Sequence, residues 1–333
     1  MSIFNKKILT LSTVLLSFTV SAETLVIEGG GASSTTGLVP QSLAPYSSKA
    51  GIDLQVVLNQ VLTKSILKVA AGKLDLAVAP PPAYKAMTVG KGPYAKSADV
   101  AKKLAPKVKA LFAFQGSTMH PTVWADSGIK TWNDIRGKRV FIGPPAGAAA
   151  SQSAGMIRAA SGLEAGKDYE PVKVPWGQAA QAFKDGQFDV YIAFYPIGSQ
   201  IMKEIGAQRD VRVLAIPESV FSSKEWADYE KKSGVQGVFI PAGTYESGFV
   251  SGSEKKGAAA TGMMIIANES MSVDTAYTLT KTFFEALPEM KKANALLRSQ
   301  DGSKPLFGVT AKIHDGAKKY YKEVGIEIPS NLQ

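Results

Sequence analysis

Two stretches of small residues are the places where this chain could do chemistry. The first, IEGGGASSTTG (residues 27–37), puts four glycines and five small or hydroxyl residues behind the apolar TLVI. The second, FIGPPAGAAAS, occupies residues 141–151. A phosphate-cradling loop of the G-x-x-x-x-G-K-[ST] kind needs a closing Gly-Lys, and neither stretch has one. A dinucleotide fingerprint needs G-x-G-x-x-G and an acid that ends the next strand. Gly29 and Gly31 fit, but Ser34 stands in place of the third glycine and Asp53 begins the second strand. Asn59 stands where that acid belongs and is kept as a polar candidate for ligand contact. What remains is a strand end, a turn of tiny residues and a helix start with unpaired N–H groups, a combination that favours an anion such as a carboxylate. Ser33, Ser34 and Thr35 add hydroxyls that either cap the helix or bind the ligand.

Catalytic constellations are missing. The only histidines, His120 and His314, lie outside any H-E-x-x-H, and SQSAG fails G-x-S-x-G at its first position. With no Cys there is no thiol nucleophile or thiolate metal site. No cofactor is expected. His120 reads as structural and His314 as an exposed helix residue, while Asp75 and Asp189 read as makers of turn hydrogen bonds. Trp124, Trp176 and Tyr195 fall at strand ends or hinge segments, where each either packs or faces a ligand. Pro80, Pro81 and Pro82 suit a cleft floor. Glu28 should repel an anion bound beside it, so it either points away, the preferred reading, or meets the ammonium group of an amino acid.

At 333 residues the chain has room for two domains, and 45% hydrophobic with 20% charged residues describes a globular protein. MSIFNKK, an apolar run of about thirteen residues and VSA have the layout of a secretory signal peptide cut after Ala22. The expected product is periplasmic and monomeric. Formal charge is +10, or +8 without Lys6 and Lys7. It serves solubility, or attraction of anionic ligands and acidic membrane partners. The lysines are scattered rather than striped with aromatics, which argues against nucleic acid.

The elements that position these stretches form two copies of one plan. AAGKLDLAVAPPP (70–82) aligns with KDGQFDVYIAFYP (184–196) at an offset of 114 residues, and Ile27 aligns with Ile142 at 115. Each copy reads strand, small-residue turn, helix, strand, helix, strand. Short apolar strands alternating with helices predict an α/β fold with mainly parallel sheets flanked by helices, and a crevice between two lobes at a switch point. KALFAFQGSTMHPTVWADSG would cross between the lobes and VRVLAIP would return. Lobe I then comprises residues 23–118 and 218–333, and lobe II residues 119–217. Residues 90–107 read as a surface excursion.

Taken together, LVIEGGGASSTTG, ILKVAAGKLDLAVAPPPAY, VWADSGIKTWNDIRGKRVFIGPPAG, AFKDGQFDVYIAFYPIG and IPAGTY resemble the TAXI class of solute-binding proteins of tripartite ATP-independent periplasmic (TRAP) transporters, over nearly the whole chain after residue 22. The resemblance implies a two-lobed, type II-like periplasmic binding protein, not an enzyme. It would close over a small organic acid and deliver it to TRAP membrane subunits. It implies ligand contacts from Gly30, Gly31, Ser33, Ser34 and Thr35 on one side. Pro145, Ala146, Gly147, Ala148 and Ala149 would answer on the other, flanked by Pro81 and Tyr195. The chain departs from the family in Thr36-Gly37, where an aromatic pair is usual, and in AGAAAS, where hydroxyls are frequent. Both departures point to a different or larger ligand, or to one held by backbone amides. The same fold could instead serve an ATP-driven importer or a sensor kinase, or house an exported enzyme.

Overall fold

The computed structural model describes residues 23–145, 148–245, 248–250 and 254–333. The expected signal peptide lies outside them. The first copy of the repeat folds as β1 (Glu23–Glu28), α1 (Thr35–Lys49), β2 (Ile52–Val57), α2 (Leu62–Ala70) and β3 (Leu76–Ala79). Next come α3 (Pro81–Thr88), α4 (Ala98–Leu104) and the long strand β4 (Val108–Trp124). The second copy is β5 (Arg139–Gly143), α5 (Ala149–Ser161), β6 (Glu170–Lys173), α6 (Trp176–Lys184) and β7 (Val190–Tyr195). It is followed by α7 (Gln200–Gln208), β8 (Val211–Val213), α8 (Lys224–Ser233) and β9 (Val235–Ile240). The chain closes with β10 (Lys256–Asn268), α9 (Val273–Ala293) and α10 (Asp315–Glu323).

One sheet runs through both halves in the order β2-β1-β3-β10-β4-β7-β5-β6. The outer three strands of each half are parallel, and β10 and β4 join the halves as an antiparallel ribbon. At roughly 3.3 Å per residue, the 17 residues of β4 reach about 55 Å, enough to serve both halves. Its first part pairs with β10 beside β3, and its last part pairs with β7.

Asp75 and Asp189 show that the two copies are one design. Asp75 accepts the Val26 N–H at 2.8 Å and Asp189 accepts the Arg139 N–H at 2.9 Å, so each clamps the first strand of its copy to the third. They bond between strands, not within turns as expected. Val26 and Arg139 are 113 positions apart, two fewer than the Ile27–Ile142 match implies. A two-residue slip keeps every side chain on its own face, so apolar matching cannot detect it.

Each half has its own core. Leu25, Ile27, Val39, Leu76, Phe112, Ile266 and Phe283 belong to the first. In the second half, one face of the sheet buries Val140, Met156, Ile192 and Trp226, and the other buries Phe183, Tyr191 and Met202. The expected boundary at residue 218 is thereby shifted. α8 and β9 place Trp226, Tyr229 and Val235 in the same cluster as Met156 and Ile157 of α5. Strand β8 has only three residues and pairs with Thr122–Trp124, so it does not return to the first half. β10 makes that crossing, from Ala259 beside Met119 to Met264 beside Ala79.

Candidate functional site

Strand direction decides which ends meet. β3 is antiparallel to β10, with Ala79 opposite Met264, so its C-terminal end and that of its parallel neighbour β1 point toward the second half. β7 is antiparallel to β4, with Tyr195 opposite Thr118, so the C-terminal ends of β7 and β5 point toward the first half. The turns after β1, β3, β5 and β7 therefore face one another across the middle of the ribbon, which is the switch-point crevice of an open α/β sheet.

The glycine turn is held by its neighbours. Gly29 donates to Val57 O at 2.9 Å, while Gly30 O and Gly29 O accept the N–H groups of Asn59 (2.8 Å) and Gln60 (3.0 Å). On its other side the turn folds back onto α1. Pro40 has no N–H, which frees the Thr36 carbonyl inside the helix, and Gly30 N–H fills it at 3.2 Å. A Cβ on Gly29 would lie 2.7 Å from that carbonyl, and a Cβ on Gly30 would overlap the Thr36 hydroxyl. These two glycines exist for chain packing rather than for ligand approach. Gly31 differs, because a Cβ there meets nothing nearer than 3.7 Å.

Among the described residues, the N–H groups of Gly31, Ala32, Ser33, Thr35 and Thr36 have no protein acceptor. Ser34 holds the N-cap position without capping: its hydroxyl donates to Gly31 O and lies 2.7 Å from that of Thr36. The Thr35 hydroxyl is buried with no partner among the described residues, and Ser33 is exposed. Asn59 has φ of 59°, a left-handed conformation that asparagine tolerates, and its exposed carboxamide has no protein partner among the described residues. Gly30, Gly31, Ser33, Ser34, Thr35 and Asn59 thus form one group. Glu28, at the base of the turn, is buried and paired with Lys68 at 2.6 Å. Lys68 of α2 compensates Glu28 Oε1, while Glu28 Oε2 is buried without a partner among the described residues.

On the opposite side, Pro145 is exposed and Ala148 and Ala149 are half-buried at the start of α5, whereas Ala146 and Gly147 lie outside the described residues. Gly143, with φ of 130°, lets β5 approach α5, since a Cβ there would lie 2.8 Å from Ala149 Cβ. Trp176 opens α6 at 44% exposure and meets Phe194 edge-on at 5.2 Å, making an open aromatic wall on the crevice side. Tyr195 is half-buried, and its hydroxyl is 3.1 Å from that of Tyr191 within the same half. Two candidates are displaced from the crevice. Trp124 lies six residues beyond Thr118, at the far end of β4, stacked on Phe183 at 4.5 Å. Pro81 is buried against Gly234, and its carbonyl accepts the Thr310 hydroxyl, so it packs at the junction of the halves.

The ribbon supplies residues that the sequence motifs did not reveal. Between Ala260 and Gly262 the β4–β10 register shifts, so that Gly116 and Ser117 oppose the single Thr261. This is a β-bulge at the passage between halves. Gln115 and Gln300 exchange two hydrogen bonds there, of 2.9 and 2.7 Å. His120, fully buried, donates from Nδ1 to Thr118 O (3.0 Å) and accepts at Nε2 from Tyr245 (2.8 Å), whose oxygen accepts the Gly198 N–H (3.1 Å). Burial lowers the His120 pKa to about 4, so it is neutral. His314 is no exposed residue: it is buried and caps α10 by accepting the Gly316 N–H. Beside the ribbon, a cavity of about 770 Å³ is bounded by Gly198, Gln200 and Lys203 on one side and Arg298 and Ser299 on the other. None of the expected site residues lines it.

The fold is that of the two-lobed periplasmic binding proteins. The periplasmic sulfonate-binding protein SsuA from Methylobacillus flagellatus KT superposes with a TM-score of 0.50 at 13% identity, over 82% of this chain and 72% of that one. SsuA from Escherichia coli, an aliphatic sulphonate binder, gives 0.49 at 12% identity over 93% and 96%. A TRAP periplasmic solute-binding protein from Rhodobacter sphaeroides gives 0.48 at 13% over 92% and 95%. The NMT1-like family model matches residues 41–325, and the chain belongs to that family.

Proposed function

We propose that this chain is an exported receptor that captures a small organic anion between its halves and delivers it, chemically unchanged, to membrane subunits of the TRAP type. The set of N–H groups at the Gly31–Thr36 turn, without a protein acceptor among the described residues and at the strand end that faces the second half, carries this reading. Such amides suit carboxylate oxygens, and an uncharged grip releases its ligand more readily than a buried ion pair. Trp176 and Phe194 offer an apolar wall for the rest of an oxo acid, dicarboxylate or amino acid. The motifs shared with TAXI proteins favour a TRAP partner.

A second reading is a sulfonate receptor serving an ATP-driven importer. The NMT1-like match and the likeness to a sulfonate binder favour it, and the same amides suit three sulfonate oxygens. Thermal melting of the exported protein, refolded free of ligand, against carboxylates, amino acids and alkanesulfonates separates the two. A ligand at a hundredfold its Kd adds about 2.7 kcal/mol. A shift from carboxylates alone supports the first reading, and one from sulfonates alone supports the second. Turnover of a hit would overturn both.

A further inference from the structure

Beyond residue 22, the net charge of this protein resides in one part of its fold. Residues 61–110 carry ten lysines and two aspartates, whereas residues 23–60 and 111–333 together carry 26 basic and 26 acidic side chains. The run that reads as scattered along the chain is concentrated in space. It covers α2, α3, α4 and the turn 92–97, which pack on one another in the first half. Right-handed crossovers from β1 to β2 and from β2 to β3 run in opposite directions along the sheet, which puts α2 on the face away from α1. Lys64, Lys68, Lys73, Lys85, Lys91, Lys96, Lys102, Lys103 and Lys107 are all exposed. Among the described residues only Lys68, with Glu28, and Lys102, with Asp99 at 3.8 Å, have a carboxylate in this set of nine. Elsewhere, acids answer the basic side chains, as Asp168 answers Arg136 and Glu323 answers Lys281.

We infer that this face docks the protein on an anionic phospholipid surface. The patch contains no arginine, so it lacks the planar forks that grip single phosphates. Flexible, separately placed ammonium groups instead match a diffuse layer of negative headgroups. Val89 and Val100, 52% and 55% exposed among the lysines, give the patch a shallow apolar contact. No helix among the described residues is long and apolar enough to cross a membrane. The docking would hold the receptor near the membrane through its first half and is independent of which anion the crevice takes.

Sedimentation of the exported protein with vesicles tests this. The probes are phosphatidylcholine alone and phosphatidylcholine with roughly 30% phosphatidylglycerol, at ~0.05 M and ~0.5 M salt. The expected result is binding to the anionic vesicles at low salt only. Lys91→Glu, Lys96→Glu, Lys102→Glu and Lys103→Glu together should reduce it by roughly tenfold or more. The combination Lys138→Glu, Lys167→Glu and Lys173→Glu, exposed in the second half, should leave most of it. Melting temperatures of both variants confirm that they fold. An unbound protein under all conditions would overturn the proposal and direct the search to an acidic protein partner. Equal loss in the two variants would overturn it as well, by reducing the effect to total charge.

Discussion

Gly30 and Gly31 are neighbours with different reasons to lack a side chain. Gly30 is pressed against the Thr36 hydroxyl, whereas a Cβ on Gly31 would make only ordinary contact with Ser34, and Gly31 has no left-handed φ. Gly30→Ala should therefore cost about 1–3 kcal/mol in denaturant unfolding, and Gly31→Ala less than about 0.5 kcal/mol. Gly31→Asp should keep the fold and abolish the melting shift from the ligand, because it adds a negative charge beside the free amides. Unchanged affinity in calorimetry would remove this turn from the site. His120 sets a pH dependence. Its pKa is lowered from 6.5 to about 4 by burial, so between those values the unfolded chain binds a proton that the folded chain does not. Stability is complete above pH 6.5 and is lost as pH falls toward 4, with a slope of up to about 1.4 kcal/mol per pH unit. His314, lowered chiefly by burial, acts in the same sense. Unfolding of His120→Gln followed across this range should show a visibly flatter slope.

At the scale of elements, the β4–β10 ribbon is the joint between the halves. Its bulge places Gly116 against Thr261, where a Cβ would overlap the threonine hydroxyl. Gly116→Ala should destabilise by about 1–3 kcal/mol. Adding Thr261→Ala removes the nearest obstructing atom and leaves Met263 Cγ at 2.9 Å, so the pair should be less destabilised than the two single changes combined, without full recovery. Additive losses in urea melts would mean that the bulge is not where the strain falls. The helix α1 works similarly with its turn. Pro40 withholds an N–H and leaves the Thr36 carbonyl to hold Gly30. A residue usually read as a helix defect thereby shapes the start of the candidate site.

At the scale of the whole molecule, a ribbon and the chain segments packed beside it join the two cores. Such a body can bend about the bulge with each core unchanged, as in hinge closure. Ligand should therefore reduce the radius of gyration in solution scattering, and Gly31→Asp should remain at the ligand-free value. A radius unchanged by saturating ligand would show a preformed, rigid crevice. The charge asymmetry belongs to the same scale, since no single lysine carries it and α2, α3, α4 and the turn 92–97 all contribute.

The amino-acid order by itself determined the duplicated α/β plan, because strand and helix periods, glycine stops and the repeated aspartates are local signals. It also pointed to the turn at Gly30–Thr35, where strand end, small residues and helix start are contiguous. Pairing across the sheet was decided only in three dimensions. Asp75 reaching Val26, β10 rather than β8 making the return, and α8 joining the second core all depend on contacts between segments far apart in the chain. Trp124 shows the limit of spacing alone. A strand end is legible, but which of its two ends faces the crevice follows from the direction of its neighbours. The β4–β10 bulge, the His120–Tyr245–Gly198 chain and the segregation of charge onto one face were illegible for the same reason. Periodicity reports which side of an element is buried, and only packing reports what it is buried against.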